Sequence, residues 1–205
     1  MRRAVLFVLF GPSGVGKDSV LRAVLPRVEG LARCVSVTTR PPRPGEVEGK
    51  DHWYVSKDAF RRMVHAGEFL EWAQYVGQHY GTPRSSVEKM IQQGADVIVR
   101  VEVQGAEQLR ASVADAVLIF LVAPSWEELR RRLDGRRTEN AEQIEKRLAM
   151  AREEVQRAHC GPKGVPLYDY LVVNDDVERA AAEVASIITA ERLRAGRAVL
   201  PLLEE

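Results

Sequence analysis

The chain has 205 residues, of which 45% are hydrophobic and 29% charged, and its formal net charge is +1. This composition is ordinary for a soluble globular protein. The near-zero charge gives no basic face that would indicate a nucleic-acid or membrane partner. Cys34 and Cys160 stand far apart and in no metal-binding spacing, which indicates two free thiols in a reducing compartment.

The first apolar run, Ala4–Phe10, follows two arginines and so resembles the start of a secretory signal. It stops at Gly11 after seven residues, with no small-residue cleavage pattern behind it. A membrane span needs about 20 apolar residues. An unbroken apolar run of this length is typical of a buried parallel strand. We therefore predict a strand here and a cytoplasmic protein.

Further along the chain, apolar runs of strand length alternate with helical patterns. This predicts an α/β fold with a mainly parallel sheet flanked by helices. The predicted strands are Ala4–Phe10, Val35–Thr38, Asp96–Val101, Ala116–Val122 and Tyr170–Val173. The predicted helices follow Gly16 and cover Ser56–Ala66, Pro83–Gln93, Ser125–Leu133, Asn140–Ala158 and Val177–Leu193. Ser125 and Glu128 have the spacing of a capping box, and Pro83 fits a first helical position.

Between residues 36 and 88 the pattern changes. Phe69–Val76 and His79–Thr82 flank Gly77 and Gln78, which predicts a tight hairpin. We interpret this region as a small, partly antiparallel lobe inserted into a core formed by residues 1–35 and 89–205. An irregular, arginine-rich stretch begins at Asp134, and it predicts a lid over about residues 134–146.

A glycine-rich segment, Gly11-Pro12-Ser13-Gly14-Val15-Gly16-Lys17, follows the first strand and precedes a helix. This is the context of a phosphate-binding P-loop, so the predicted sheet is of the P-loop NTPase type. The glycines let backbone amides point at the ATP phosphates, and the helix N-terminus adds positive potential. Lys17 can reach the β and γ phosphates during transfer. The alternative is a glycine-rich turn that binds no ligand.

The residue after this lysine departs from the P-loop pattern. A Ser or Thr hydroxyl normally binds Mg²⁺ there, whereas this chain has Asp18 and places the hydroxyl one residue later, at Ser19. The Asp18 carboxylate could hold the metal directly or through water. It could equally repel the ATP phosphates, and the sequence leaves both interpretations open.

Four further segments resemble guanylate kinases, and the resemblance covers nearly the whole chain. They are Val35–Glu46, Gly67–Ala73, Tyr80–Thr82 and Val173–Asp176. The resemblance implies an ATP:GMP phosphotransferase that requires Mg²⁺. It also implies that the partners are the small-molecule nucleotides ATP and GMP and that the protein is a monomer or homodimer.

For the GMP phosphate, the resemblance implies Ser36, Arg40, Arg43 and Tyr80 as ligands. Guanidinium groups bind phosphate in bidentate fashion, so this assignment is chemically sensible. His52 stands where the family has a tyrosine, and an imidazole can also donate to a phosphate oxygen. The alternative is that both arginines are solvated loop residues.

Glu71 and Thr82 are the candidates for recognising the base. Guanine presents two adjacent donors, N1–H and the exocyclic amine, and an ionised carboxylate accepts both. Adenine has an acceptor at N1 and would be rejected. Thr82 could donate its hydroxyl to the guanine O6. The alternative for Glu71 is an ordinary solvent-facing strand residue.

The remaining assignments also follow the resemblance. The implied ATP-binding residues are Gly11, Ser13, Gly14, Val15, Gly16, Lys17, Asp18, Ser19 and Asn174. In Val99–Gly105 the family has two acidic positions. Glu102 keeps the second and is assigned to the GMP site, but Arg100 replaces the first with the opposite charge. Arg132, Arg136 and Arg147 align with lid arginines, which would neutralise charge on the transferring phosphoryl group.

Two other functions stay open at this point. A ribose bisphosphate kinase is favoured by Asp18 and the Arg136–Asn140 stretch, but its sugar-phosphate acceptor would not require Glu71 or Thr82. A catalytically silent guanylate-kinase-like interaction module is the other alternative. The intact Lys17 and the lid arginines argue against it.

Overall fold

The computed structural model describes residues 3–75, 77–134, 141–161 and 164–198. The strands are β1 (Leu6–Phe10), β2 (Leu31–Arg33), β3 (Val37–Thr38), β4 (Trp53–Tyr54), β5 (Phe69–Tyr75), β6 (Gln78–Pro83), β7 (Asp96–Val101), β8 (Val117–Val122) and β9 (Tyr170–Val173). The α-helices are α1 (Lys17–Val24), α2 (Lys57–His65), α3 (Arg84–Gln92), α4 (Val103–Ser112), α5 (Trp126–Asp134), α6 (Ala141–His159) and α7 (Val177–Arg192).

The main sheet has five parallel strands in the order β2-β7-β1-β8-β9. Because side chains alternate along a strand, β1 contributes to two hydrophobic cores. Phe7 and Leu9 pack on the side of α1, α5 and α7, whereas Val8 and Phe10 pack on the side of α3 and α4. Burial on both faces explains the unbroken apolar runs, and the predicted α/β class is confirmed.

A second, four-stranded sheet in the order β4-β3-β6-β5 lies between β2 and α3 in the chain. Its β5 and β6 form the predicted antiparallel hairpin, although Val76 lies outside the described residues. The α2 helix packs on this sheet through Phe60, whose ring stacks on Phe69 with centroids 4.7 Å apart. This small third core holds the second sheet together.

The structure corrects several sequence-based elements. The predicted strand Val35–Thr38 is wrong in its extent and its sheet: only Val37–Thr38 is a strand, and it belongs to the second sheet. The edge strand of the main sheet is instead Leu31–Arg33, which pairs with β7. The α4 helix was not predicted. Pro83 ends β6 and caps α3, so it precedes the first helical position rather than occupying it.

The ends of α5 and α6 bound the predicted lid. Ser125 accepts a hydrogen bond from the backbone N–H of Glu128 at 3.1 Å, as the capping-box spacing predicts. Residues 135–140, which include Arg136 and six of the thirteen residues of the predicted lid, lie outside the described residues. The last six residues of the predicted lid form the start of α6 instead. Within the part of the chain that the structure describes, no helix is long and apolar enough to span a bilayer.

Candidate active site

The P-loop joins β1 to α1 at the carboxyl end of the central strand. Gly16 caps α1 in a left-handed conformation with φ 93°. A Cβ atom there would lie only 2.4 Å from Nδ2 of Asn174, so both the backbone and the neighbour require glycine. The N-terminus of α1 therefore opens directly onto the loop, and its free amides and dipole make an anion-binding position.

Lys17 lies at the first turn of α1 and is only 7% exposed. Its Nζ donates to the carbonyl oxygens of Gly11 at 2.5 Å and Pro12 at 3.2 Å. It also donates to Oε2 of Glu102 at 2.8 Å. These contacts hold the ammonium group at the mouth of the loop, where it can exchange carbonyl acceptors for phosphate oxygens.

Asn174 follows β9 and is 1% exposed. Its Nδ2 donates to the carbonyl of Val15 at 2.7 Å, whereas its Oδ1 has no hydrogen-bond partner among the described residues. A buried amide oxygen normally has a donor, so this atom is a candidate acceptor for the adenine amino group. Ser13 is half-buried within the loop, and Ser19 is exposed on α1.

On the acceptor side, Arg40 is fixed by Glu46. Nη1 and Nη2 of Arg40 donate to the two carboxylate oxygens at 2.9 and 2.8 Å. The same carboxylate accepts the backbone N–H of Arg43 at 2.7 Å and the hydroxyl of Tyr54 at 2.9 Å. The hydrogen bonds from Arg40 lower the pKa of Glu46 to about 2, so the loop is held by a permanently ionised carboxylate.

His52 lies beside this loop and is largely buried. Its Nδ1 and the Ser36 hydroxyl are 2.9 Å apart, and its ring meets that of Tyr80 edge-on at 5.9 Å. Burial first, and then the positive charges of Arg100 and Arg40, lower the pKa of His52 to about 4. The imidazole is therefore neutral at pH 7 and has one N–H to donate.

Glu71 is buried, with 5% of its surface exposed, although it lies on a strand of the second sheet. Its cross-strand neighbour is Thr82, whose hydroxyl donates to Oε1 of Glu71 at 2.6 Å. Burial raises the pKa of Glu71 to about 7. The solvent-facing alternative for Glu71 is thereby excluded. Its Oε2 lies so near Gly105 of α4 that a Cβ there would be 2.3 Å away.

Two ion pairs connect the start of α1 to the end of β7. Lys17 pairs with Glu102, and its neighbour Asp18 pairs with Arg100, whose Nη1 lies 2.7 Å from Oδ2 of Asp18. The two residues of this chain that depart from the family pattern at these positions thus contact each other. They are 82 residues apart in the sequence.

These groups surround one cavity of about 790 Å³ between the P-loop and the second sheet. The predicted site residues that line it are Ser13, Gly14, Gly16, Lys17, Asp18, Ser36, Arg40, Arg43, His52, Glu71, Tyr80, Glu102 and Arg147. The predicted site residues that do not line it are Gly11, Val15, Ser19, Thr82, Arg132 and Asn174. Of these, Thr82 donates a hydrogen bond to Glu71, and Asn174 donates one to the P-loop carbonyl of Val15.

Residues 3–191 match the family model described as guanylate kinase. The chain belongs to the guanylate kinase family. A guanylate kinase of Thermus thermophilus is 49% identical over 195 residues, covering 95% of this chain and 85% of the relative. That of Symbiobacterium thermophilum is 45% identical over 202 residues, covering 98% and 92%.

A solved structure has the same fold. The crystal structure of guanylate kinase from Anaplasma phagocytophilum superposes with a TM-score of 0.76 at 33% identity, covering 96% of this chain and 90% of that one. The predicted enzyme class, a nucleoside-monophosphate kinase, is confirmed by family membership. These comparisons give no support to a ribose bisphosphate kinase or to a silent interaction module.

The structure describes two of the three arginines that were predicted for the lid. Arg132 on α5 donates from Nε to Glu128 at 2.7 Å and from Nη1 to the carbonyl of Val15 at 3.5 Å. It therefore lies beside the P-loop. Arg147 on α6 lines the cavity. Arg136 lies outside the described residues.

Several residues of the site were not predicted. Glu46 ends the acceptor segment but received no role from the sequence; an acidic residue beside two arginines was the available signal. Arg33 lines the cavity and donates to the carbonyl of Asp51 at 3.1 Å. Burial, followed by the charge of Glu102, raises the pKa of Glu154 to about 7. No sequence motif distinguishes Glu154 from its helical neighbours.

Proposed function

We propose that this guanylate kinase family member transfers the γ-phosphate of ATP to GMP within the cavity described above. The observation that carries the proposal is the buried carboxyl group of Glu71, which shares one cavity with the P-loop lysine. A group suited to accept the two donors of guanine and a group suited to bind the donor phosphates therefore line a single space. The cytoplasmic location and the monomeric or homodimeric state stay predictions.

For the donor, we assign the backbone of the P-loop and the N-terminus of α1 to the ATP phosphates. Lys17 would stabilise the negative charge that develops on the β-phosphate of ADP as the γ-phosphoryl group leaves. Asn174 would accept from the adenine amino group with Oδ1. The full donor set is Gly11, Ser13, Gly14, Val15, Gly16, Lys17, Asp18, Ser19 and Asn174.

For the acceptor, we assign Arg40, Arg43, Ser36, Tyr80 and neutral His52 to the GMP phosphate. The guanidinium groups supply bidentate donors, and the other residues supply single hydrogen bonds. We assign Glu71 to guanine N1–H and the exocyclic amine. The Thr82 hydroxyl donates to Glu71, so we assign Thr82 to orienting that carboxylate as well as to contacting the base edge. We assign Glu102 to the GMP site.

For the transition state, we assign Arg132, Arg136 and Arg147 to the equatorial oxygens of the transferring phosphoryl group. Charge that is spread over these oxygens is stabilised by cations that the protein holds in place beforehand. Exclusion of water by the same segment would prevent ATP hydrolysis. In-line attack by a GMP phosphate oxygen then requires only that both nucleotides are aligned.

The protein ligands for Mg²⁺ are few. The described residues contain no group of three or more His, Cys, Asp or Glu side chains that could hold a metal ion. This fits Mg²⁺, which usually keeps several waters and binds through substrate phosphates and one or two carboxylates. We assign Asp18 as the carboxylate that binds Mg²⁺, directly or through water. Its hydrogen bond with Arg100 uses Oδ2, so Oδ1 is the oxygen assigned to the metal. When bound, Mg²⁺ neutralises phosphate charge.

The metal assignment can be tested separately. If Asp18 contributes to the Mg²⁺ site, Asp18→Ala should raise the Mg²⁺ concentration for half-maximal rate several-fold, because a ligand or its ordered water is lost. Tighter ATP binding by Asp18→Ala at saturating Mg²⁺ would instead indicate that the carboxylate repels the phosphates.

The acceptor itself is best tested by a coupled ADP-release assay with ATP and a panel of acceptors. GMP and dGMP should be phosphorylated, whereas AMP, UMP and ribose bisphosphate should give rates at least about a hundredfold lower, because none presents the two adjacent donors of guanine to Glu71. Comparable turnover of ribose bisphosphate would contradict the assignment. A protein that binds GMP without turnover would support the silent-module alternative.

A further inference from the structure

Arg100 lines the cavity, yet neither the P-loop assignments nor the acceptor assignments use it. It lies near the end of β7, opposite Leu9 of the central strand, and its side chain is 18% exposed. Glu102 is two residues further on, so both side chains lie on the same side of the chain. Each pairs with a residue of the first turn of α1, Glu102 with Lys17 and Arg100 with Asp18.

The Arg100 guanidinium has more donors than this ion pair uses. An arginine carries five N–H donors in a planar fork. In the described part of the chain, the hydrogen bond of Arg100 to Oδ2 of Asp18, at 2.7 Å, uses Nη1. With 18% of its side chain exposed, the guanidinium can offer further donors to a ligand. Arg100 lines the cavity that holds the P-loop and the acceptor-side arginines, which is built to bind phosphates.

The charge of Arg100 acts on the acceptor side of that cavity. It is the largest electrostatic contribution, after burial, to the lowered pKa of His52, and it also acts to lower the pKa of Glu71. Arg100, His52 and Glu71 all line the same cavity, so the charge of Arg100 faces the acceptor side. By contrast, Arg40 is bound at both Nη atoms by Glu46, which leaves fewer of its donors for a ligand.

We propose that Arg100 is an additional ligand of the acceptor phosphate and that Asp18 is the positioning residue that holds it between the two nucleotide sites. The inference rests on the proposed function, because it assumes that GMP occupies the cavity. Arg40 and Arg43 line the same cavity as Arg100. This chain therefore has a further cation for the acceptor, and the unusual Asp18 anchors it.

The experiment compares the affinities of GMP and guanosine, measured by calorimetry without ATP or Mg²⁺. Guanosine keeps the base and ribose but has no phosphate. Arg100→Met should weaken GMP binding by roughly 10- to 100-fold, the usual effect of losing a charged hydrogen bond, and leave guanosine binding unchanged. Arg100→Lys keeps the charge without the fork and should recover part of the loss.

The role of Asp18 is tested in the same assay. Asp18→Asn keeps the shape but removes the charge that fixes Arg100, so GMP affinity should fall by about 3- to 10-fold at constant guanosine affinity. The double variant Asp18→Asn/Arg100→Met should bind GMP no more weakly than Arg100→Met alone, because the positioning residue then has nothing to position.

Equal losses for GMP and guanosine in Arg100→Met and Arg100→Lys would overturn the inference, since a purely structural ion pair would affect both ligands alike. Unchanged GMP affinity in both variants would overturn it too. If the wild-type protein bound neither GMP nor guanosine, the proposed function itself would fail. If Arg100→Met does not fold, the ratio of the two affinities in Arg100→Lys decides.

Discussion

Lys17 is the residue on which phosphoryl transfer depends most directly. It is fixed by two loop carbonyls and Glu102, and no other lysine lines the cavity within the described residues. Lys17→Ala should lower kcat by at least about a thousandfold, because a preorganised cation at the transferring phosphate is lost. GMP affinity should change little. The matched control is Lys146→Ala, which removes an exposed lysine paired with Glu142.

Steady-state kinetics and GMP calorimetry on both variants provide the measurement. A Lys17→Ala enzyme with near-normal kcat would remove the P-loop assignment. A loss of GMP affinity equal to the loss of rate would place Lys17 in acceptor binding instead.

The ionisation of Glu71 should make guanine recognition depend on pH. Burial raises the pKa of Glu71 to about 7, and the ionised form is the one that accepts both guanine donors. Guanosine affinity should therefore fall about tenfold for each pH unit below 7. Protonation stabilises the folded state at the same time, because the pKa in the folded protein lies above that in the unfolded chain. This contribution to stability is complete below the unfolded pKa and is lost as pH rises through 7.

Two variants separate these effects. Glu71→Gln should weaken guanosine binding by roughly 1.5–3 kcal/mol and make the remaining affinity independent of pH. Glu154→Gln removes the other carboxyl whose pKa is raised to about 7, and it should change only the pH dependence of unfolding. Guanosine affinity that still varies with pH in Glu71→Gln would contradict the assignment.

For single residues, the sequence predicted the chemical role of a side chain better than its burial and its neighbours. Glu71 was selected because a carboxylate matches guanine, yet alternation along the strand fitted an exposed residue equally well. Its burial depends on packing against α4, a long-range contact. The ion pair of Asp18 with Arg100 was likewise invisible, because each residue was an unexplained departure until the fold brought them together.

Among the elements, the loop from Arg40 to Glu46 should behave as one rigid unit. Glu46 accepts from Arg40, from the backbone of Arg43 and from Tyr54. Glu46→Ala removes all of these bonds, so the arginines lose their fixed geometry and KM for GMP should rise about tenfold or more. KM for ATP should stay nearly constant. Initial-rate kinetics with each substrate varied in turn provide the measurement.

The control for this loop is Asp58→Ala, which removes the exposed partner of Arg61 on α2 and should leave both KM values unchanged, as expected for a surface pair. A lower KM for GMP in Glu46→Ala would indicate that Glu46 competes with the phosphate for Arg40.

The elements themselves were predictable where burial is uniform. The central strands were found because both faces are buried and their sequences are continuously apolar. The β2 strand was missed because it is only three half-buried residues long. The sequence analysis placed the strand at the β-branched run Val35–Thr38 instead. The α4 helix begins with a β-branched valine and contains Gly105 in its first turn, both poor helix formers. Tertiary contacts with β5 and β7 overcome that weak propensity.

For the whole molecule, the cavity lies between two sheets that have separate cores. A ligand that contacts both should therefore stabilise the entire fold. GMP at a hundred times its dissociation constant should add about 2.7 kcal/mol, which raises Tm by roughly 5–10 °C for a protein of this size. Differential scanning calorimetry with AMP at the same concentration should give a shift close to zero. Equal shifts for the two nucleotides would contradict guanine selection.

The close approach of Glu71 to Gly105 has a consequence for how this protein can evolve. The base-reading carboxyl group occupies space that a single methyl group on α4 would take, since a Cβ at position 105 would lie 2.3 Å from Oε2. Substrate choice is thus constrained at a residue for which we propose no contact with the nucleotide. A larger residue at position 105 would displace Glu71 from its buried position and allow other bases into the acceptor site. A mutant library that is screened for new acceptor nucleotides should therefore include position 105.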